Sequence, residues 1–156
     1  MGVPVGPVIS NCNSGSKCFK TDLDGTYEAN SAQELYSAVV GLTSISGPVF
    51  VEWAQKYQMD SAAFDHFYVE VSENLVPANT VRLFEHNAPA MTATVGSAPT
   101  TIDTAAGWAT LRRRIDSFAG KDIFLRFRVD SDGANNFAGA AIDDVKVIAC
   151  RTSTSH

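Results

Sequence analysis

Strict alternation over residues 121–150 is the feature that most constrains what this chain can fold into. In KDIFLRFRVDSDGANNFAGAAIDDVKVIAC, Ile123, Leu125, Phe127 and Val129 alternate with Phe124, Arg126 and Arg128. An extended backbone sorts these into one apolar and one mixed face, whereas a helix would scatter them. The loop Asp130-Ser131-Asp132-Gly133-Ala134-Asn135-Asn136 follows, rich in turn formers and oxygen donors. A second run, Ala141 to Ile148, puts Asp143 on the face of Val145 and Val147. A carboxylate in that position must stand at the rim of the core or be compensated by a cation or by donors.

The same period recurs upstream. Val49, Val51, Trp53 and Tyr57 share a face, with Trp53 read as core. Phe67, Val69 and Val71 alternate with Tyr68, Glu70 and Ser72, and Val81, Leu83 and Glu85 alternate with Arg82 and Phe84. These two runs stand at hairpin spacing. Leu35 to Val40 reads as another strand, and Leu111 and Ile115 alternate with Arg112 and Arg114. Residues 86–106, mostly Ala, Thr, Pro, Ser and Gly, read as a surface excursion or two short edge strands. Short strands with almost no helical pattern predict an all-β fold, a two-sheet antiparallel β-sandwich of jelly-roll topology. The 156 residues fit one domain. Residues 1–17, rich in Gly, Pro, Ser and Asn, read as a linker or extended lead-in, 18–150 as the sandwich, and 151–156 as a disordered tail.

A net charge of −5 argues against a nucleic-acid binder, whose affinity comes largely from phosphate neutralisation. No apolar run has the length of a membrane-spanning helix, and the opening MGVPVGPVISN lacks a basic segment followed by an apolar one. Cys12, Cys18 and Cys150 allow one disulfide and one thiol. Cys12–Cys18 would close a short loop, and either one paired with Cys150 would tie the chain ends; the spacing leaves the choice open.

The loop and the ending Ala-Ile-Asp-Asp-Val-Lys-Val, the segment Cys18 to Tyr27, and the approach Gly107-Trp108 through Ile115–Lys121 resemble MAM-like and cleaved-adhesin (choice-of-anchor type) jelly-roll domains. Such domains accompany secreted bacterial peptidases and cell-surface proteins, and the resemblance spans roughly residues 18–150. Two departures are visible: Ala140-Ala141 stands where the family often has a bulky aromatic, and three cysteines cannot supply the full MAM disulfide set. The resemblance implies a secreted or cell-surface location. It also implies a non-catalytic accessory or adhesion domain that helps a larger secreted protein, such as a peptidase, bind its substrate or a surface. It further implies a calcium ion stapling the N-terminal segment to the last strand.

Calcium takes six to eight oxygen ligands, and Asp-x-Asp loops suit it chemically, although no stretch here has the spacing of an EF-hand. The expected metal set is Asp22, Asp24, Glu28, Asp143 and Asp144, with Asp143 inward; Asp130, Asp132, Asn135 and Asn136 form a reserve set. The plainer reading of each pair is a turn-forming, solvated carboxylate.

For catalysis the residues offer little. His66, His86 and His156 are the only imidazoles, and no serine lies in a G-x-S-x-G turn. Glu52, Glu70 and Glu85 are the carboxylates a stand-alone glycoside hydrolase would need. Tyr68 and Phe84, on the less apolar faces, predict an aromatic platform beside Arg126 and Arg128, the ligand face of a carbohydrate-binding module. Should Arg112 and Arg114 join Arg126 and Arg128, an anionic glycan or acidic protein surface would be the matching partner.

Overall fold

The computed structural model describes residues 1–60, 63–73, 80–86, 91–95, 98–102 and 107–150, and for 91–95 and 98–102 the backbone alone. Its strands are β1 (Phe19–Lys20), β2 (Ala32–Tyr36), β3 (Val40–Gly41), β4 (Val49–Gln58), β5 (His66–Ser72), β6 (Thr80–Glu85), β7 (Met91–Val95), β8 (Ala98–Ile102), β9 (Ala109–Arg114), β10 (Asp122–Asp130) and β11 (Gly139–Ala149). One sheet runs β1-β11-β4-β9 and the other β2-β10-β5-β6, with β3 also on β10; β7 and β8 form a separate hairpin. All pairings are antiparallel. The chain changes sheet between β1 and β2, β3 and β4, β4 and β5, β6 and β9, β9 and β10, and β10 and β11, so the two sheets are built from strands interleaved along the sequence. The expected all-β, two-sheet antiparallel sandwich is the architecture observed.

The inward positions fill one core. Val49, Val51, Trp53, Tyr57 and Leu111 from the first sheet meet Phe67, Val69, Ile123, Leu125 and Val129 from the second, all buried. The Tyr57 ring lies 5.8 Å from Phe67 and 6.0 Å from Phe84, in the tilted arrangement aromatic quadrupoles prefer. Gln55 shares this interior, accepting the Trp53 indole N–H at 2.7 Å. A cavity of about 210 Å³ remains where the two sheets part, between Phe19, Leu35, Phe67, Phe127, Ala140 and Ile142. It opens beside Ala140, the position at which the resembling family often carries a bulky aromatic.

Two bulges reset the alternation read from the sequence. In β6, Val69 pairs with Phe84 but Glu70 with Arg82, leaving Leu83 unpaired. The extra residue turns Phe84 into the core and Glu85 outward. Phe84 is therefore not part of an exposed platform: it is 5% exposed and packs with Tyr57 and Phe67. The freed Leu83 carbonyl accepts the Arg113 Nε–H at 2.9 Å, which ties β9 to β6 across the sandwich. In β11 the register shifts between Asp143 and Lys146, with Asp144 at φ 49°. Ala140 and Ile142 point inward before the shift and Val147 and Ala149 after it, so Val145 is exposed and Asp143 shares the outer side with Ala141. The inward placement of Asp143 is thus corrected.

The N-terminal segment is no loose linker. Gly2 pairs with Cys18, Val5 N–H donates to the Leu23 carbonyl at 2.9 Å, and Ile9 is fully buried against Ala138 and Ala141. Val8 and Trp108 pack on the same cluster, and the Trp108 indole donates to the Asn11 carbonyl at 3.2 Å. Apolar side chains at Val8 and Ile9 supply burial that the Gly-Pro-Ser composition hides. Cys12 and Cys18 form the disulfide, Cα atoms 5.6 Å apart, and Cys150 is a free, exposed thiol. The expected tail, 151–156, lies outside the described residues, as do parts of 86–106.

Candidate functional site

Because Leu125, Phe127 and Val129 face the core, Arg126 and Arg128 must project from the outer face of the five-stranded sheet. Register then builds two cross-strand rows. Arg126 stands opposite Tyr36 on β2 and Glu70 on β5, and Glu70 stands opposite Arg82 on β6. Arg128 stands opposite Glu34 and Tyr68, and Tyr68 opposite Glu85.

The side chains interlock. The Arg82 guanidinium lies over the Tyr68 ring, 3.9 Å from its centroid, with Arg128 5.3 Å away. His66 stacks on the same ring, centroids 5.4 Å apart and planes 10° from parallel. Arg82 also bonds Glu85 at 2.7 Å and reaches Glu70 at 3.4 Å. Arg126 pairs with Glu34, approaches Glu70 at 3.6 Å and lies 5.8 Å from the Tyr36 ring. Arg128 pairs with Asp130, and the Tyr36 hydroxyl donates to Glu34 at 2.8 Å.

These contacts set the electrostatics. Burial pushes the Tyr68 hydroxyl above its ordinary range, and the nearby Glu85 carboxylate adds to the effect. Burial alone would raise Glu34, but hydrogen bonds from Tyr36 and Arg126 outweigh it and hold the carboxyl below its ordinary range. Glu70 is 4% exposed, yet its Oε2 has no hydrogen-bond partner, and neither does the buried Nε of Arg126. Buried polar atoms are usually satisfied, so an unused acceptor and an unused donor on one face point to something this face is built to meet.

Tyr68, Arg126 and Arg128 share this face, but Tyr68 is no exposed platform: it is 7% exposed, covered by Arg82, Arg128 and His66. Arg112 and Arg114 do not share it: they project from β9 in the other sheet, where Arg112 and Lys146 stand 3.8 and 3.7 Å from Glu52. Glu52 is likewise separated from Glu70 and Glu85. The sequence reading missed Tyr36, Arg82, Glu34 and His66 as members of the face. All occupy outward positions of their strands, but which outward residues meet is a matter of register, which no single strand reveals.

The acidic loops have become hydrogen-bond staples. Asp22 Oδ1 accepts the N–H groups of Asp24 and Gly25, each at 3.3 Å, and the Lys20 ammonium bonds the carbonyl oxygens of Asp22 and Gly25. Those backbone hydrogen bonds, with Lys20 nearby, hold the Asp22 carboxyl below its ordinary range. At the other end, Asp143 accepts the Ser14 N–H at 2.9 Å, and Asp144 accepts Asn13 Nδ2 and the Ser14 hydroxyl, both at 2.7 Å. Asn13 and Ser14 thus tie the N-terminal segment directly to the last strand by hydrogen bonds, a contact other than the expected calcium staple. The calcium set does not fit as drawn. A lysine ammonium already occupies the loop carbonyls at Asp22, Glu28 offers its backbone carbonyl to Ser31 and Ser131, and no three acidic, His or Cys side chains gather among the described residues.

The reserve set is drawn into a different knot. Asp65, fully buried, accepts the Tyr27 hydroxyl and the Asp132 N–H, the latter at 2.8 Å. Asn135 Nδ2 donates to Asp60 at 3.1 Å, Asp132 caps the Ala134 N–H, and Asp130 is held by Arg128. Burial, with the hydrogen bond to Asp65, raises the Tyr27 hydroxyl far above its ordinary range. His86, 1% exposed, closes the knot. Its Nδ1 accepts the Phe67 N–H at 2.9 Å, so the neutral ring carries its proton on Nε2, 3.1 Å from the Asp60 carbonyl. Burial holds this imidazole below its ordinary pKa.

No protein-family model matches the sequence, and no curated protein matches it significantly. Solved structures do match in fold. The K1 cleaved adhesin domain of Lys-gingipain from Porphyromonas gingivalis W83 superposes with a TM-score of 0.55 at 19% identity, covering 92% of this chain and 80% of that one. The carbohydrate-binding module TmCBM61, solved with beta-1,4-galactotriose, gives a TM-score of 0.50 at 14% identity, covering 90% and 76%. The chain therefore shares the β-sandwich fold of a cleaved adhesin domain and of a carbohydrate-binding module.

Proposed function

We propose that the chain is a non-catalytic extracellular accessory or adhesion domain that binds a glycan or protein surface through the outer face of the five-stranded sheet. The observation that carries this reading is the Tyr68 ring held between Arg82 and Arg128 beside a buried, incompletely bonded Glu70. A sheet that served only the core would not need its uncovered side organised to this degree. The shared fold supports the reading, since one neighbour is an adhesin domain and the other was solved with an oligosaccharide.

Glycoside hydrolysis is disfavoured by geometry. It needs two carboxylates flanking one bond, one of them free to carry a proton. Glu70 and Glu85 are both tied to Arg82, and Glu52 lies on the opposite sheet. Secretion and attachment to a larger protein such as a peptidase belong to the same proposal.

The test is surface plasmon resonance on immobilised polysaccharides and extracellular matrix proteins, comparing wild type with Tyr36→Ala/Tyr68→Ala and with Arg114→Ala as a control on the other sheet. Binding lost in the double variant and kept in the control supports the reading. Undiminished binding by a folded double variant would sink it.

A further inference from the structure

We infer that the ligand of this face is an uncharged, hydroxyl-rich oligosaccharide, and that Arg82 is the side chain that lifts to admit it. The inference rests on the reading of this face as the binding surface.

Charge comes first. Arg82, Arg126 and Arg128 are matched by Glu34, Glu70, Glu85 and Asp130, each arginine lying against at least one carboxylate. Three cations against four anions leave no positive field to attract a uronic acid or a sulfate, and an incoming anion would have to displace a carboxylate from its arginine. A protein partner would need an apolar anchor, and among the described residues of this face Tyr36 is the one large aromatic with more than a third of its surface open.

What the face does offer suits hydroxyl groups. A hydroxyl both donates and accepts, so it can satisfy an acceptor such as Glu70 Oε2 and a donor such as Arg126 Nε, which with His66 Nδ1 are the buried side-chain atoms of this face without a hydrogen-bond partner among the described residues. Charged groups bond neutral hydroxyls strongly without needing an opposite charge in return. The flat Tyr68 ring supplies the apolar surface against which a pyranose can pack.

Arg82 covers the Tyr68 ring and one Glu70 oxygen, Oε1, while the other, Oε2, faces Arg126 Nη1 at 3.6 Å. Arg82 touches the Tyr68 ring at 3.9 Å and Glu70 at 3.4 Å, and its strongest tether is Glu85, itself on the surface. The Arg82 side chain is 43% exposed and Arg126 11%, so Arg82 is free to swing while Arg126 is held. Lifting it uncovers the part of the ring beneath the guanidinium and frees Glu70 Oε1 and Glu85 to turn to the ligand, while His66 and Arg128 stay against the ring.

The test is retention on a panel of neutral polysaccharides (galactan, xylan, mannan, β-glucan) and acidic ones (polygalacturonate, hyaluronate, heparin), from about 0.05 M to about 0.5 M NaCl, a range over which exposed ionic attraction is screened away. Wild type is expected to bind at least one neutral polymer with affinity unchanged by salt. Tyr68→Ala should abolish that binding, Tyr68→Phe should keep it, and Arg82→Ala should keep or strengthen it several-fold, each variant being checked for a native near-ultraviolet spectrum. Salt-sensitive retention by an acidic polymer overturns the inference but leaves glycan binding standing. Retention by a matrix protein alone, lost in Tyr68→Ala, overturns the glycan but not the binding face. Loss of neutral-glycan binding in Arg82→Ala overturns the lifting role.

Discussion

The two outer faces of the sandwich are built from similar strands and treated in opposite ways. On the four-stranded sheet, the N-terminal segment lies across β11: Ile9 is buried on Ala138 and Ala141, the Cys12–Cys18 disulfide lies alongside, and Lys56, opposite Ala141, is left 8% exposed. On the five-stranded sheet the outward residues of β5 are buried too, Tyr68 at 7% and Glu70 at 4% exposed, but among the described residues it is the neighbouring side chains of the same face that cover them. A face that needs covering carries small apolar residues, Ala138 and Ala141. A face that covers itself carries long charged ones in matched rows. The first kind of face should govern stability and the second recognition.

The strongest way to break this contrast is Ile9→Ala. Ile9 is wholly buried, and truncating a buried isoleucine costs about 2–5 kcal/mol. The urea midpoint should fall accordingly; a change within about 0.5 kcal/mol, the usual range for surface substitutions, would mean the N-terminal segment merely lies on the sheet. Next comes Cys12→Ser/Cys18→Ser. The bond closes a short loop with a sequence separation of 6, worth roughly 2 kcal/mol in the chain-entropy account. The thermal midpoint should drop and binding by the opposite face should survive. Binding lost in parallel with stability would couple the two faces.

A third prediction reaches the open face from beneath. His86 lies among Tyr57, His66, Phe67, Asp65 and Glu85, and its Nδ1 holds the N–H of Phe67, next to Tyr68 on β5. Burial lowers its folded pKa below the ordinary histidine value of 6.5, so the unfolded chain binds the proton more readily. The stability this group contributes is present above that unfolded value and is lost as pH falls through it toward the depressed folded value. Protonation would also strip Nδ1 of its acceptor role and release Phe67 N–H. Chemical denaturation between pH 7.5 and 5 should therefore show a decline that His86→Gln flattens; parallel curves for the two proteins would dismiss His86 as its source.

How much of this was legible beforehand follows from where alternation holds. Ile123, Leu125, Phe127 and Val129 kept strict period over β10, and every outward and inward assignment there stood. It failed at Leu83 and between Asp143 and Lys146, because a bulge inserts one residue and reverses every assignment beyond it. Phe84 went inward and Asp143 outward for that reason. Arg126 and Arg128 could be placed on a face from their own strand, but Arg82 and Tyr36 join them only through pairings between segments far apart in sequence. The N-terminal segment misled by composition: turn formers dominate it, and Val8 and Ile9 together are too short a run to show a period.

The smallest expected effect is the most telling for the contrast. Arg82→Ala removes a guanidinium that bonds Glu85 and Glu70 and stacks on Tyr68, three contacts that resemble structural glue. The Arg82–Glu85 pair is exposed and such pairs contribute about 0–1 kcal/mol, the cation–π contact adds about 0.5–1 kcal/mol, and the buried Glu70 keeps Arg126 at 3.6 Å as a partner when Arg82 is removed. Against these stands the release of a long side chain from a fixed rotamer, worth up to about 2 kcal/mol of conformational entropy. The net change in unfolding free energy should therefore stay below about 1 kcal/mol, well under that of Ile9→Ala, although Arg82 makes more polar contacts. Equal losses for the two variants in parallel urea titrations would mean that the charged rows hold the sandwich together as much as the buried cover does, and the division of labour between its faces would fall.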